Sequence, residues 1–371
     1  MRLWIPGPTQ VRAELLAECA RPMIGHRSAA MEQCIARLDP HLQLAFGLAP
    51  SSDAIVAVHT SSATGLMEGA LLGCGPRVLA LVTGAFGARW AEIAELVGKQ
   101  VERLEAAWGA AVEPQQLERA LTERGPFDAV VLISNETSTG VRAPLDDYAA
   151  VLSRHPQTLL LVDLVSWIAG DAVDFDARRM DFAFAGTQKA LALPPGITVL
   201  CASRRYLEQA RTQPRRGFYL DPVLVLEGHA TRKTPSTPCI PLYFALARQL
   251  EDISTGVLEG GQVAGAVAWK ARFDRHRRML ERTAAWATEL GVRYLPAEAL
   301  RSRTVSCLEA GALDVPALLA ELKRRGHQLS NGYGKLKDKT FRIGHMGDHL
   351  ESDLADMLGH LSEAIALQRA G

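Results

Sequence analysis

Lys189 follows an apolar run in "DFAFAGTQKALALPPG" (181–196), where the mostly apolar Phe182 to Gly186 lead through Thr187 and Gln188 to the lysine. A Pro-Pro-Gly stop comes soon after. Taking an ammonium into apolar surroundings is costly unless it is paired, neutralised or chemically converted. A second run, "LLLVDLVS" (159–166), delivers the carboxylate of Asp163. In "HTSSATGLMEGALL" (59–72) a strand end, a Ser/Thr/Gly turn and a helix follow one another. Such a helix start offers an anion its free N–H groups, the positive dipole end and hydroxyl donors. "ISNETSTG" (133–140) brings small hydroxyl residues to the end of another run.

Taken singly, these features are ordinary: a lysine after a strand is usually solvated, and Ser/Thr before a helix is usually a cap. Together they form a set with one chemistry. An amine, a carboxylate, an anion cradle and hydroxyls suit pyridoxal phosphate, which needs an amine for its aldehyde, a carboxylate at its pyridinium nitrogen and an anchor for its phosphate.

The elements that must position these residues are legible as short apolar runs: 54–58, 77–82, 128–134, 158–163, 181–186 and 197–202. Amphipathic stretches of helical length, such as 89–100 and 114–125, lie between several of them. Continuous apolar strands alternating with helices predict a largely parallel sheet covered on both faces, with ligands beyond the carboxyl ends of its strands. From about residue 260 the texture changes. A charged helix over 268–291 is followed by a strand near 304–310, a helix over 315–326 with Asp314 as N-cap and Gly326 closing it, and a last helix. The expected organisation is an N-terminal arm (1–16), a large domain (17–260) and a smaller α+β C-terminal domain (261–371).

Composition narrows the function. The chain has 371 residues, 48% apolar and 22% charged, with 41 basic against 41 acidic side chains. No basic stretch predicts a nucleic-acid or anionic-membrane partner. The N-terminus "MRLWIPGPTQ" lacks an apolar signal core, and no run approaches the roughly 20 apolar residues of a membrane span. The six cysteines are scattered without metal-ligand spacing, so the expectation is a soluble, cytoplasmic protein without a metal site.

The motifs "PGPT" (6–9), "GHRS" (25–28), "ETSTG" (136–140), "LLLVDLVSWIAG" (159–170), "GTQKALALPPG" (186–196) and "FRIGHMGD" (341–348) resemble class V aminotransferases of the alanine–glyoxylate and serine–pyruvate type. The resemblance runs from residue 6 to the last helix. It implies the pyridoxal-phosphate-dependent transferase fold of type I, an α/β large domain with a mostly parallel sheet and a smaller α+β C-terminal domain. It also implies residue roles. Lys189 would bond the cofactor aldehyde, Asp163 would keep the pyridine nitrogen protonated, and Val165 and Phe86 would pack on the two ring faces. Thr137 would hydrogen-bond the ring hydroxyl. Gln188, Ser62, Ala63 and Thr64 would hold the phosphate, where relatives often carry Gly-Thr or Gly-His in place of the Ser62–Ala63 pair. Thr237 would reach the phosphate from a partner subunit, making a homodimer with shared sites. Arg342 would clamp the substrate α-carboxylate, with the Gly7 backbone nearby. His345 and His349 read as supporting or surface residues.

Two rivals on the same fold are weaker. Cysteine desulfurases usually have a His before the lysine, a His over the ring and a mobile-loop cysteine, whereas this chain has Gln188, Phe86 and a Cys307 inside an expected strand. A non-catalytic relative would be expected to lose the lysine or the clamp. The expected substrates are alanine or serine with glyoxylate or pyruvate. The alternative is phosphoserine with 2-oxoglutarate, in which His26 and Arg27 would hold the substrate phosphate.

Overall fold

The computed structural model describes residues 1–370. Seven strands form the central sheet in the order Ile55–His59, Thr198–Ala202, Phe182–Gly186, Leu159–Asp163, Ala129–Ile133, Arg77–Val82 and Gln100–Glu105. All run parallel except Thr198–Ala202, which is antiparallel to both its neighbours. The four strands Thr198–Ala202, Phe182–Gly186, Leu159–Asp163 and Ala129–Ile133 are buried at every residue. That is why their sequences read as unbroken apolar runs rather than alternating ones.

The edge strand Gln100–Glu105 is absent from the sequence-based reading, which carries a helix through residue 100. The helix in fact spans Ala85–Leu96 and stops where Gly98 adopts φ +82°, a left-handed conformation that favours glycine and ends helices. The strand beyond it, "QVERLE", is largely exposed on one side, so it has no apolar run to betray it.

Two cores cover the sheet. One packs the helices Ala29–Phe46 and Ile240–Ser254 on one face, and the other packs Ala63–Leu72, Ala85–Leu96 and Pro222–Ala230 on the opposite face. A third core lies in the C-terminal part, where Val305–Glu309, Thr340–Gly344 and Ser330–Asn331 form a three-stranded antiparallel sheet beside the helices Ala266–Glu289, Val315–Arg324 and Glu351–Ala370. Asp314 caps its helix as expected, accepting from Ala317 N at 2.9 Å, and Gly326 follows the helix end at φ +89°.

The N-terminal arm joins this third core to the main sheet. Arg2–Leu3 pairs in parallel with His327–Gln328, and the fully buried Trp4 accepts from Gly344 N at 2.7 Å through its carbonyl. The chain then crosses to the lysine loop, where Thr9 N donates to Gln188 O at 2.9 Å. No helix among the described residues is long and apolar enough to cross a membrane.

Candidate active site

Parallel strands carry the chemistry at one edge. Asp163 ends its strand, Lys189 follows the adjacent strand Phe182–Gly186, and the turns after Ile55–His59, Arg77–Val82 and Ala129–Ile133 deliver Ser62, Phe86 and Thr137. They converge on a cavity of about 320 Å³ lined by Gly7, Ser62, Ala63, Thr64, Phe86, Thr137, Asp163, Val165, Gln188 and Lys189. Ten of the sequence-predicted site residues therefore meet in one place. Thr237 is exposed and does not line this cavity. Arg342 lies behind the lining: its Nη1 donates to Thr137 O at 3.1 Å and its Nε to Asn331 O at 3.0 Å. Among the described residues Nη2 has no hydrogen-bond partner.

The loop between strand and lysine is tightly folded. Ala192 N and Thr9 Oγ1 both donate to Lys189 O, at 2.8 and 2.9 Å, while Thr187 Oγ1 donates to Pro194 O at 2.9 Å. The Lys189 ammonium donates to the carbonyl of Pro6 and makes no ion pair with Asp163. Burial lowers its pKa to about 8, aided by the Arg342 guanidinium and opposed by Asp163 and Glu136. Gly7 sits against it with φ +96°, and a Cβ there would come within 2.5 Å of Lys189 Cδ. Gly7→Ala should therefore displace the lysine and strain the backbone by roughly 1–3 kcal/mol. Cofactor affinity, followed by fluorescence titration, is expected to fall at least tenfold; unchanged affinity would show that the arm does not position Lys189.

Asp163 is buried and, among the described residues, in no ion pair. Its Oδ1 accepts from Val165 N at 2.7 Å, and no hydrogen bond from the described residues reaches Oδ2. Desolvation pushes the carboxyl up to about 7, with Glu136 adding to the rise and the Val165 N–H and Lys189 opposing it. A cationic N–H brought against Oδ2 would supply the missing counter-charge. Across the cavity Ser62 caps the helix Ala63–Leu72, accepting from Gly65 N at 3.3 Å. The earlier N–H groups of that helix are left for an anion. The residues present thus suit pyridoxal phosphate: an amine, an unpaired buried carboxylate and a helix-start cradle line one cavity.

Several contributors escape the sequence-based reading. Glu136 is completely buried and accepts from Phe86 N at 3.1 Å, Gly87 N at 3.0 Å and Ser138 Oγ at 2.5 Å. It thereby ties the helix bearing Phe86 to the turn bearing Thr137. Ser166 Oγ lies 2.6 Å from Thr137 Oγ1, so the Thr137 hydroxyl is already oriented. Asn135 and Arg89 also line the cavity. Glu136 and Asn135 fall inside a quoted motif, but nothing in their spacing marks them as capping or cavity residues.

Two expectations need correction or a place, and folding adds a cluster that the sequence did not suggest. His345 and His349 are not surface groups: both are buried, with His345 Nε2 2.9 Å from Ser306 Oγ and His349 stacked on Trp4 at 4.0 Å. Burial drives the His345 pKa down to about 4, which leaves it neutral. His26 and Arg27 lie outside the cavity lining of their own chain. Finally, folding gathers His327, Asp356 and His360, whose ligand atoms lie within 4.8 Å of one another. Trp4 Nε1 donates to His327 Nδ1 at 3.3 Å, which puts the proton of neutral His327 on Nε2, facing His360 Nδ1 at 3.0 Å.

A mostly parallel α/β sheet with a lysine, a buried carboxylate and a capped helix start at its carboxyl edge is the arrangement of a pyridoxal-phosphate-dependent enzyme of fold type I. Residues 45–254 match the family model "Aminotransferase class-V". A serine–glyoxylate aminotransferase of Methylorubrum extorquens is 29% identical, over 95% of this chain and 88% of its own. A protein of Synechococcus named as the small subunit of a soluble hydrogenase is 30% identical, over 98% of this chain and 92% of its own. Among solved structures, an aspartate aminotransferase of Thermus thermophilus superposes with a TM-score of 0.87 at 27% identity, covering 99% of this chain and all of that one. The chain belongs to the class V aminotransferase family and is a transaminase that uses pyridoxal phosphate.

Proposed function

We propose that this transaminase moves an amino group from a small L-amino acid, alanine or serine, to glyoxylate or pyruvate in two ping-pong half-reactions at one site. The observation that carries the reading is the pairing of a depressed Lys189 with an uncompensated Asp163 across one cavity, with a spare Arg342 donor beside it. When bound, pyridoxal phosphate supplies an electron sink that makes the Cα–H of an amino acid acidic. Lys189, with its pKa near neutrality, takes up and returns that proton. Asp163 would hold the ring nitrogen in its cationic form, Phe86 and Val165 would pack on the ring, Thr137 would meet the ring hydroxyl, and Ser62, Ala63, Thr64 and Gln188 would bind the phosphate, all of them lining the one cavity. Arg342 anchors the α-carboxylate, with the Gly7 backbone beside it.

Turnover of a panel of amino donors against glyoxylate, pyruvate and 2-oxoglutarate tests the reading. Alanine and serine with glyoxylate or pyruvate should dominate, and efficient use of phosphoserine with 2-oxoglutarate would instead favour the phosphoserine alternative and the roles of His26 and Arg27. We further infer a cytoplasmic homodimer of amino-acid metabolism in which the exposed Thr237 reaches the other copy's phosphate; a fully active monomer in sedimentation would refute it.

Arg342→Lys is expected to raise KM for donor and acceptor alike, because both half-reactions use one clamp. A planar guanidinium grips a carboxylate through two parallel charge-assisted bonds that an ammonium cannot reproduce. The loss in kcat/KM should be roughly ten- to hundredfold, as for a hydrogen bond to a charged group. A change confined to one substrate would contradict the shared clamp.

A further inference from the structure

We propose that Tyr333 limits the size of the amino donor's side chain, an inference that rests on the transaminase reading above. Tyr333 is held at the tip of a compact loop. Asn331 Nδ2 donates to Asp338 Oδ1 at 2.5 Å, Asp338 N donates back to Asn331 Oδ1 at 2.8 Å, and Gly332 N donates to Thr340 O at 2.8 Å. A Cβ on Gly332 would come within 2.0 Å of Leu336 O, so the loop has no room to relax there. From this rigid base the tyrosine ring reaches three groups at once. It stacks on Phe86 with centroids 5.5 Å apart and planes 29° from parallel. It lies under the Arg342 guanidinium, 5.6 Å from Cζ. Its hydroxyl accepts from Arg89 Nη2 at 3.1 Å.

Phe86 and Arg89 line the cavity and Arg342 is the proposed carboxylate anchor, so Tyr333, just behind the lining itself, bridges the wall proposed for the cofactor and the proposed clamp. A donor held at its carboxylate by Arg342, with its amino group at the Lys189 end of the cavity, has one remaining substituent on Cα, and on this proposal that substituent extends toward the Tyr333 ring, which backs the lining residues Phe86 and Arg89. A methyl or hydroxymethyl group leaves the ring in place. A longer chain must push it off Phe86 and break its bond to Arg89.

The test compares kcat/KM for alanine and for leucine in the holoenzyme and its Tyr333→Ala and Tyr333→Phe variants. One methylene in a packed pocket changes discrimination by at least about tenfold. The leucine-to-alanine ratio should accordingly rise about tenfold or more in Tyr333→Ala and stay within about threefold of wild type in Tyr333→Phe, which keeps the ring. A merely structural tyrosine would lower both donors by the same factor. Calorimetric titration of the holoenzymes with acetate, propionate, butyrate and hexanoate gives a readout independent of turnover. Hexanoate should gain affinity relative to acetate only when the ring is removed; should the alanine variant unfold, Tyr333→Val serves in its place. An unchanged ratio and unchanged carboxylate series in the ring-deleted protein would overturn the proposal, as would equal relaxation in Tyr333→Phe. If the wild-type enzyme transfers no amino group from any donor, the transaminase reading falls, and the carboxylate series still decides whether Tyr333 is a size limit.

Discussion

Lys189→Ala is expected to stop transamination, lowering turnover by roughly four orders of magnitude, while the protein remains folded. Positioned proton transfer alone typically contributes about 10²–10⁴-fold, and the variant also loses the amine that bonds the cofactor aldehyde. Folding should survive because the lysine makes no ion pair among the described residues. Its chief packing partners are the Gly7 backbone and the Pro6 carbonyl, and removing it also removes the desolvation of an ammonium. Three measurements separate chemistry from collapse: turnover, the thermal midpoint, and mass spectrometry after borohydride treatment. The wild type should carry a reduced pyridoxyl group on the peptide containing Lys189, and the variant should carry none. Full turnover by the variant would sink the assignment.

Asp163→Asn should be the second most damaging change, costing about 10²–10⁴-fold in kcat, the equivalent of the roughly 3–5 kcal/mol lost when one partner of a buried charge pair is removed. The amide keeps the shape and can still accept from Val165 N, but it offers no counter-charge to a ring nitrogen. The same variant makes a prediction about stability that needs no cofactor. Burial raises the Asp163 carboxyl from 3.8 to about 7, so between those values the folded chain holds a proton that the unfolded chain has released. The stability contributed at low pH by the neutral carboxyl is therefore lost as pH rises through about 7. Lys189 acts in the opposite direction: with its pKa lowered to about 8, folding is penalised below that pH and the penalty lifts as pH climbs toward the unfolded value of 10.5. Cofactor-free wild-type protein should thus lose stability between about pH 4 and 7, and Asp163→Asn should flatten that fall. Parallel curves for the two proteins in denaturant titrations would contradict the picture of an uncompensated Asp163.

Much of this was written into local sequence. Phe182–Gly186, Leu159–Asp163 and Ala129–Ile133 are buried on both faces, and a strand in that position can only be made of consecutive apolar residues. A polar residue at the end of such a run, as with Asp163 and Lys189, is conspicuous for that reason. The cap at Ser62 and the glycine after the helix ending at Arg324 were legible too, since both are local backbone requirements. The edge strand Gln100–Glu105 was not, because its hydrogen bonds come from a distant neighbour while its side chains stay half in water.

What sequence alone determined is the set of reactive groups and the strand ends that carry them, together with the resemblance those motifs bear. What only the tertiary structure decided is which groups touch. The parallel register that sets Asp163 opposite Phe184 brings two strand ends to one edge, and the arm threaded across residues 2–9 lays Gly7 against Lys189. Glu136 became a brace between Phe86 and Thr137, and Tyr333 came to rest against both Phe86 and Arg342. Tyr333 and Phe86 stand far apart in the chain and share no periodicity. Their contact arises from the packing of the C-terminal loop onto the main sheet's edge, a long-range outcome that local propensity and spacing do not encode.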